Sequence, residues 1–145
     1  MPGHEASVVI HRPVEDVFEY MDDVSREHEW QPQLEDAQQL PPGPAAVGSR
    51  RRYVSQFMGK RVENTYIIRT YEPNRRLLLE TTPDSTINVT TEIRWESVPG
   101  GTKVTMSLDG SAKGPLKLVP RRLLSAAFAK DLERALTRLK ERLEI

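Results

Sequence analysis

The chain contains no cysteine. That excludes disulfides, Cys-ligated zinc, iron–sulfur clusters and thiol nucleophiles together. It also lacks an excess of charge of one sign, since 21 Lys and Arg stand against 21 Asp and Glu. Nucleic-acid binders usually carry a strong basic excess, so no nucleic-acid partner is expected. Uninterrupted apolar runs stop at three or four residues, as in Leu77-Leu78-Leu79 and Ala126-Ala127-Phe128-Ala129. A membrane-spanning helix needs roughly 20, so no integral membrane segment is expected. The opening Met1-Pro2-Gly3-His4-Glu5 has neither the basic nor the apolar region of a signal peptide. These readings predict a soluble, cytoplasmic protein. Histidine is scarce, and His4, His11 and His28 stand apart from one another without metal-ligand spacing. No metal site is expected. Nucleophile elbows, P-loops and G-x-G-x-x-G turns are missing too, so nothing calls for a serine hydrolase, a nucleotide or any other cofactor.

What is present is a chain of 145 residues, a length that predicts a single domain over residues 1–145. A domain of that size buries roughly 70% of the surface its unfolded chain exposes, enough for a core and a cavity. Its charges are unevenly spread. Residues 1–40 hold 10 acidic and 2 basic residues, whereas residues 41–145 hold 11 acidic and 19 basic. The simplest reading is an electrostatic match between two parts of one fold, and a partner surface is the other.

Periodicity predicts the elements. Ala6 to Ile10 reads as a strand. Pro13 then suits a first helical position, with Glu15 and Asp16 in the first turn. Val14, Val17, Phe18 and Met21 follow at helical spacing. Val24 to Trp30 reads as a second short helix, ended by Pro32. From Gly48 to Gly110 the chain alternates as successive strands. In the clearest of them Ile87, Val89, Thr91, Ile93 and Trp95 share one face, with Glu92 and Arg94 on the other. One-sided alternation over consecutive strands means an antiparallel sheet with one covered face. From Arg121 to Ile145 there is neither Gly nor Pro. Leu124, Phe128, Leu132, Ala135, Leu136 and Leu139 make an apolar stripe there. About 24 helical residues span roughly 36 Å, long enough to cross the sheet. Segregated helices and strands define an α+β fold: a curved antiparallel sheet of about seven strands, two short helices after the first strand, and a long C-terminal helix.

Several short motifs fall in a recognisable order. They are Ile10-His11-Arg12-Pro13-Val14-Glu15-Asp16-Val17-Phe18, Trp30-Gln31-Pro32, Val47-Gly48-Ser49-Arg50, Tyr71-Glu72-Pro73-Asn74-Arg75-Arg76-Leu77 and Gly100-Gly101-Thr102-Lys103-Val104-Thr105, with Leu136-Thr137-Arg138-Leu139-Lys140 in the last helix. Over nearly the whole chain this series resembles the polyketide cyclase/dehydrase family of the START-like, helix-grip superfamily. The resemblance implies a sheet wrapped round the last helix and a hollow between them. Function does not follow from the fold, because the superfamily holds cyclases, lipid carriers, hormone receptors and chaperone co-factors.

Alternation on the assumed inner face gives the candidate ligand-binding residues: Arg51, Tyr53, Asn64, Tyr66, Thr91 and Met106, with Phe128 and Trp30 closing the ends. Arg51 departs from the resemblance, which leads one to expect an aromatic or apolar residue near that point. An inward Arg51 needs a carboxylate or a ligand anion, unless it reaches solvent at the strand end. A few polar groups in an apolar lining are the usual make-up of a small-ligand pocket. The other reading is a filled core in which Tyr66 and Asn64 bond to each other or to backbone. The expected function is therefore binding of a hydrophobic small molecule: a lipid, a polyketide or an aromatic metabolite. A cyclase/aromatase-like enzyme is the alternative, but no His or carboxylate lies on the predicted inner strands to serve as a base, and the catalytic residues stay unknown. A protein-interaction or chaperone co-factor domain is the third reading. Whether the chain is a monomer or a homodimer is not legible.

Overall fold

The computed structural model describes residues 3–145. Strand β1 (His4–Ile10) leads into helix α1 (Val14–Asp22) and a 3-10 helix, Val24–Glu29. Strands β2 (Leu34–Leu40), β3 (Arg50–Phe57), β4 (Lys60–Glu72), β5 (Arg76–Thr81), β6 (Asn88–Val98) and β7 (Gly101–Ser111) follow. A second 3-10 helix, Gly114–Leu118, precedes helix α2 (Arg121–Leu143). The strands form one seven-stranded sheet in the order β1-β7-β6-β5-β4-β3-β2. Every neighbouring pair is antiparallel. This is the α+β helix-grip arrangement.

The phase of the strands follows the alternation. Thr91, Ile93 and Trp95 are buried on β6 and Arg94 is exposed. Val104 and Met106 are buried opposite them on β7. Helix α2 turns Leu132, Ala135, Leu136 and Leu139 into the core. Gly110 on β7 allows α2 to come close, since a Cβ there would lie 2.9 Å from the Phe128 ring.

Local chemistry sets three details of the elements. The second short helix is a 3-10 helix, with three residues per turn rather than 3.6. The β3–β4 turn centres on Met58 and Gly59, both at positive φ, as a two-residue hairpin loop that follows the sheet twist requires. The last helix starts at Arg121 after Pro120, and Pro115 belongs to the separate 3-10 turn.

The alternation of β4 is interrupted once. A bulge sets Arg69 and Thr70 against the single residue Leu78. The extra residue advances the alternation by one, so Ile68 and Tyr71 both face inward. The segregated charges are partly matched within the molecule, with Glu5 2.8 Å from Arg94 and Asp22 2.6 Å from Arg51.

Candidate functional site

Helix α2 packs on β1, β7 and the first 3-10 helix. Over the more distant strands the inner layer divides into two apolar clusters. One gathers Phe18, Trp95, Ile68, Leu77 and Leu139, and the other Phe57, Val62, Val89, Leu124 and Phe128. Between sheet and helix lies a cavity of about 130 Å³ whose wall takes residues from both clusters. An apolar cavity of about 150 Å³ accommodates benzene, so this one is close to the size of a single ring.

Six sequence-predicted residues line it: Tyr53, Asn64, Tyr66, Thr91, Met106 and Phe128. Tyr53 and Tyr66 meet edge to face at 5.4 Å, and Phe57 stacks on Phe128 at 4.8 Å. Asn64 accepts from the Ile87 backbone N–H at 3.2 Å. Burial pushes the Tyr66 hydroxyl up to about 12, so it stays neutral at physiological pH.

Two predicted residues lie elsewhere. Trp30 is buried in the apolar cluster under α1, away from the cavity wall, and its indole N–H has no hydrogen-bond partner. Arg51 points inward as alternation requires and is 1% exposed, yet it does not reach the cavity wall. Its Nη2 donates to Asp22 Oδ1 at 2.6 Å and its Nε to Gln39 Oε1 at 3.0 Å. The inward-turned Tyr71 completes the group by donating to the other Asp22 oxygen at 2.6 Å. The carboxylate that an inward Arg51 needs is therefore supplied by the protein, from the last residue of α1.

The residues that the strand pattern misses come from the helices. Glu27, in the first 3-10 helix, is only 5% exposed and lines the cavity. The Tyr53 hydroxyl donates to its Oε1 at 3.0 Å, and Gln31 Nε2 donates to its other oxygen. Burial raises this carboxyl to about 7, against the opposing pull of Arg51 and of the Tyr53 and Gln31 hydrogen bonds. Burial beside Glu27 pushes the Tyr53 hydroxyl well above its ordinary value. Asp131 of α2 also lines the cavity and is raised by its partial burial. The strand alternation gives Glu27 no place, yet a signal is available in the helical segment. Val24, Glu27 and Trp30 recur every three residues, one face of a 3-10 helix. Asp131 continues the Leu124–Phe128 stripe at helical spacing, three residues beyond Phe128.

The site thus joins an apolar ring-sized space to a buried carboxyl that is half-ionised near neutrality, the kind of group that can anchor a polar atom or exchange a proton. The fold that builds it is shared with many solved structures. A protein from Thermus thermophilus superimposes with a TM-score of 0.83 at 20% identity, covering 98% of this chain and 97% of that one. A START superfamily protein from Mycobacterium smegmatis gives 0.80 at 16% identity, with 98% and 97% covered. The Zhui aromatase/cyclase from a Streptomyces species gives 0.82 at 17% identity, with 99% and 93% covered. At these identities the likeness establishes the fold. The family is established by sequence: residues 1–144 match the model described as polyketide cyclase/dehydrase and lipid transport, and the chain belongs to that family. No curated protein matches it. No helix among the described residues is long and apolar enough to cross a membrane.

Proposed function

We propose that the chain is a binding domain for a small hydrophobic molecule held between the sheet and α2, with Glu27 as its polar anchor. The observation that carries this reading is the cavity of about 130 Å³, apolar at the Phe57–Phe128 side and bearing a buried carboxyl at the other. Family membership supports a hydrophobic ligand. Among the candidate residues, Tyr66, Thr91, Met106 and Phe128 pack the ligand, Tyr53 orients Glu27, and Asn64 stiffens the wall. Arg51 acts from behind by fixing Asp22. The reading keeps the domain in the cytoplasm, where a cysteine-free chain needs no oxidising surroundings.

Toluene is the probe for the test, followed through the Ile93 methyl signals by NMR. Saturable shifts are expected in the wild type and their loss in a folded Met106→Trp variant, whose indole fills the space. Absence of saturable shifts in the wild type would overturn the reading.

A second reading has one observation in its favour. A carboxyl near 7 facing a mostly apolar cavity can take a proton from carbon and return it, which is the base that an enzyme resembling the aromatase/cyclases requires. Glu27 would remove the α-proton of a ketone and hand one back to the same carbon. Deuterium exchange into acetophenone in heavy water, abolished by Glu27→Gln, would establish it; equal exchange in both proteins would remove it.

A further inference from the structure

The wall of the cavity carries two carboxylates, Glu27 and Asp131, and among the described residues no Lys, Arg or His. The nearest buried cation, Arg51, lies behind the wall with its guanidinium on Asp22 at 2.6 Å, and from there it lowers the Glu27 carboxyl without lining the cavity. Resting on the reading of the cavity as a ligand site, we propose that its occupant is a small aromatic molecule bearing a protonated amine, with the ring on the Phe57–Phe128 side and the ammonium at Glu27.

The hydrogen-bond inventory points the same way. A carboxylate offers about four acceptor positions, and Glu27 uses two of them, for Tyr53 and Gln31. The Tyr53 hydroxyl hydrogen is spent on Glu27, so it is no donor for a ligand. Gln33, on the same wall, buries its Oε1 with no donor to satisfy it. Asp131 draws on no hydrogen bond among the described residues; its charged neighbours are Arg134 and Lys130, both on the exposed face of α2. Ser55, Asn64, Tyr66 and Thr91 give the wall hydroxyl and amide donors as well, but the acceptors left without a donor are the spare Glu27 positions and Gln33 Oε1, and an ammonium brings three donors for them. The rings contribute as well. Tyr53 and Tyr66 flank Glu27's end of the space, and aromatic faces attract a cation. An ammonium also favours the ionised form of a carboxyl that burial otherwise holds up near neutrality. A fatty acid or other carboxylate would meet like charge on both sides.

Three probes of matched shape make the test: 2-phenylethylamine, 2-phenylethanol and phenylacetate, each titrated into the full chain at pH 7.5 by NMR. The amine is expected to bind tightest, about tenfold or more ahead of the alcohol, the effect of one charge-assisted hydrogen bond, with phenylacetate weakest. In Glu27→Gln, which keeps the acceptor for Tyr53, the preference should fall towards one. Asp131→Asn, a change on the partly exposed side of α2, should reduce it by a smaller factor and provides the check if Glu27→Gln does not fold. Equal binding of amine and alcohol, tighter binding of phenylacetate, or a preference that survives both substitutions would overturn the amine assignment while leaving the cavity occupied. If none of the three binds, the ligand-site reading falls and the amine assignment with it.

Discussion

The two ends of the inner layer treat an inward-facing carboxyl in opposite ways. At the end covered by α1, apolar side chains fill the space, with Phe18 set edge-on to Trp95 at 4.8 Å. The acid there, Asp22, is claimed on both oxygens by Arg51 and Tyr71. Five residues later Glu27 enters the other end, where the packing stops short and leaves a cavity. It has hydrogen bonds but no ion pair among the described residues. A buried charge that is paired and hydrogen-bonded holds structure together. A buried acid with spare acceptor positions beside a hole is a site. The contrast gives the first end to architecture and supports the proposed ligand site at the second.

The largest effect that would break the contrast is at the paired end. Arg51→Met strands Asp22 and Tyr71 without their cation. Loss of one partner of a buried pair costs about 3–5 kcal/mol, and urea denaturation should register a value in that range. A loss below about 1 kcal/mol would mean that Asp22 is satisfied by water and the two ends are alike.

The next effect is carried by pH. Glu27 rises from 4.5 to about 7 on folding. Between those values the folded state binds more protons than the unfolded one, so stability falls as pH rises. The contribution is complete below about pH 4.5 and is lost as pH climbs through 7, by at most about 3 kcal/mol. The groups that face Glu27 are Arg51, Tyr53 and Tyr66 from the sheet, Asp22 from α1, Gln31 beyond the 3-10 helix and Asp131 across the cavity. Other carboxyls titrate in the same window, so the informative quantity is the stability of wild type minus that of Glu27→Gln. It should decline from pH 4.5 to pH 8, leaving the variant at least as stable as the wild type at the upper end. A pH-independent difference would place Glu27 in water.

The smallest effect sharpens the packing side of the contrast. Leu77→Phe adds volume to the filled end and should cost about 1–3 kcal/mol, as overpacking does. Met106→Phe adds volume at the cavity and should cost less than about 1 kcal/mol. Equal costs in urea would mean that no usable space lies under Met106.

Much of this was legible in the sequence. The period-two alternation of β6 and β7 fixed their faces, and the α2 stripe fixed its buried side, because each element is long and each has one wet face. The site was legible only in part. Tyr53, Asn64, Tyr66, Thr91, Met106 and Phe128 sit where strand and helix phase place them. Tyr71 is turned inward by a bulge, and one extra residue in a ladder leaves no mark in the alternation on either side of it. Glu27 was hidden for a different reason. A six-residue 3-10 helix is too short for its period to stand out, and an acid among acids reads as solvated surface. Size and polarity suit Trp30 to a cavity wall, but its place at the end of the 3-10 helix turns it under α1 instead.

The most direct test is the titration of the Glu27 side-chain carboxyl followed by carbon-13 NMR in the intact chain. Burial beside the cavity calls for a midpoint near 7, against about 4.3 for an unperturbed Glu. A midpoint near 4.3 would contradict the distinction between the two ends, because it would mean that Glu27 is solvated and that the cavity has no ionisable centre there.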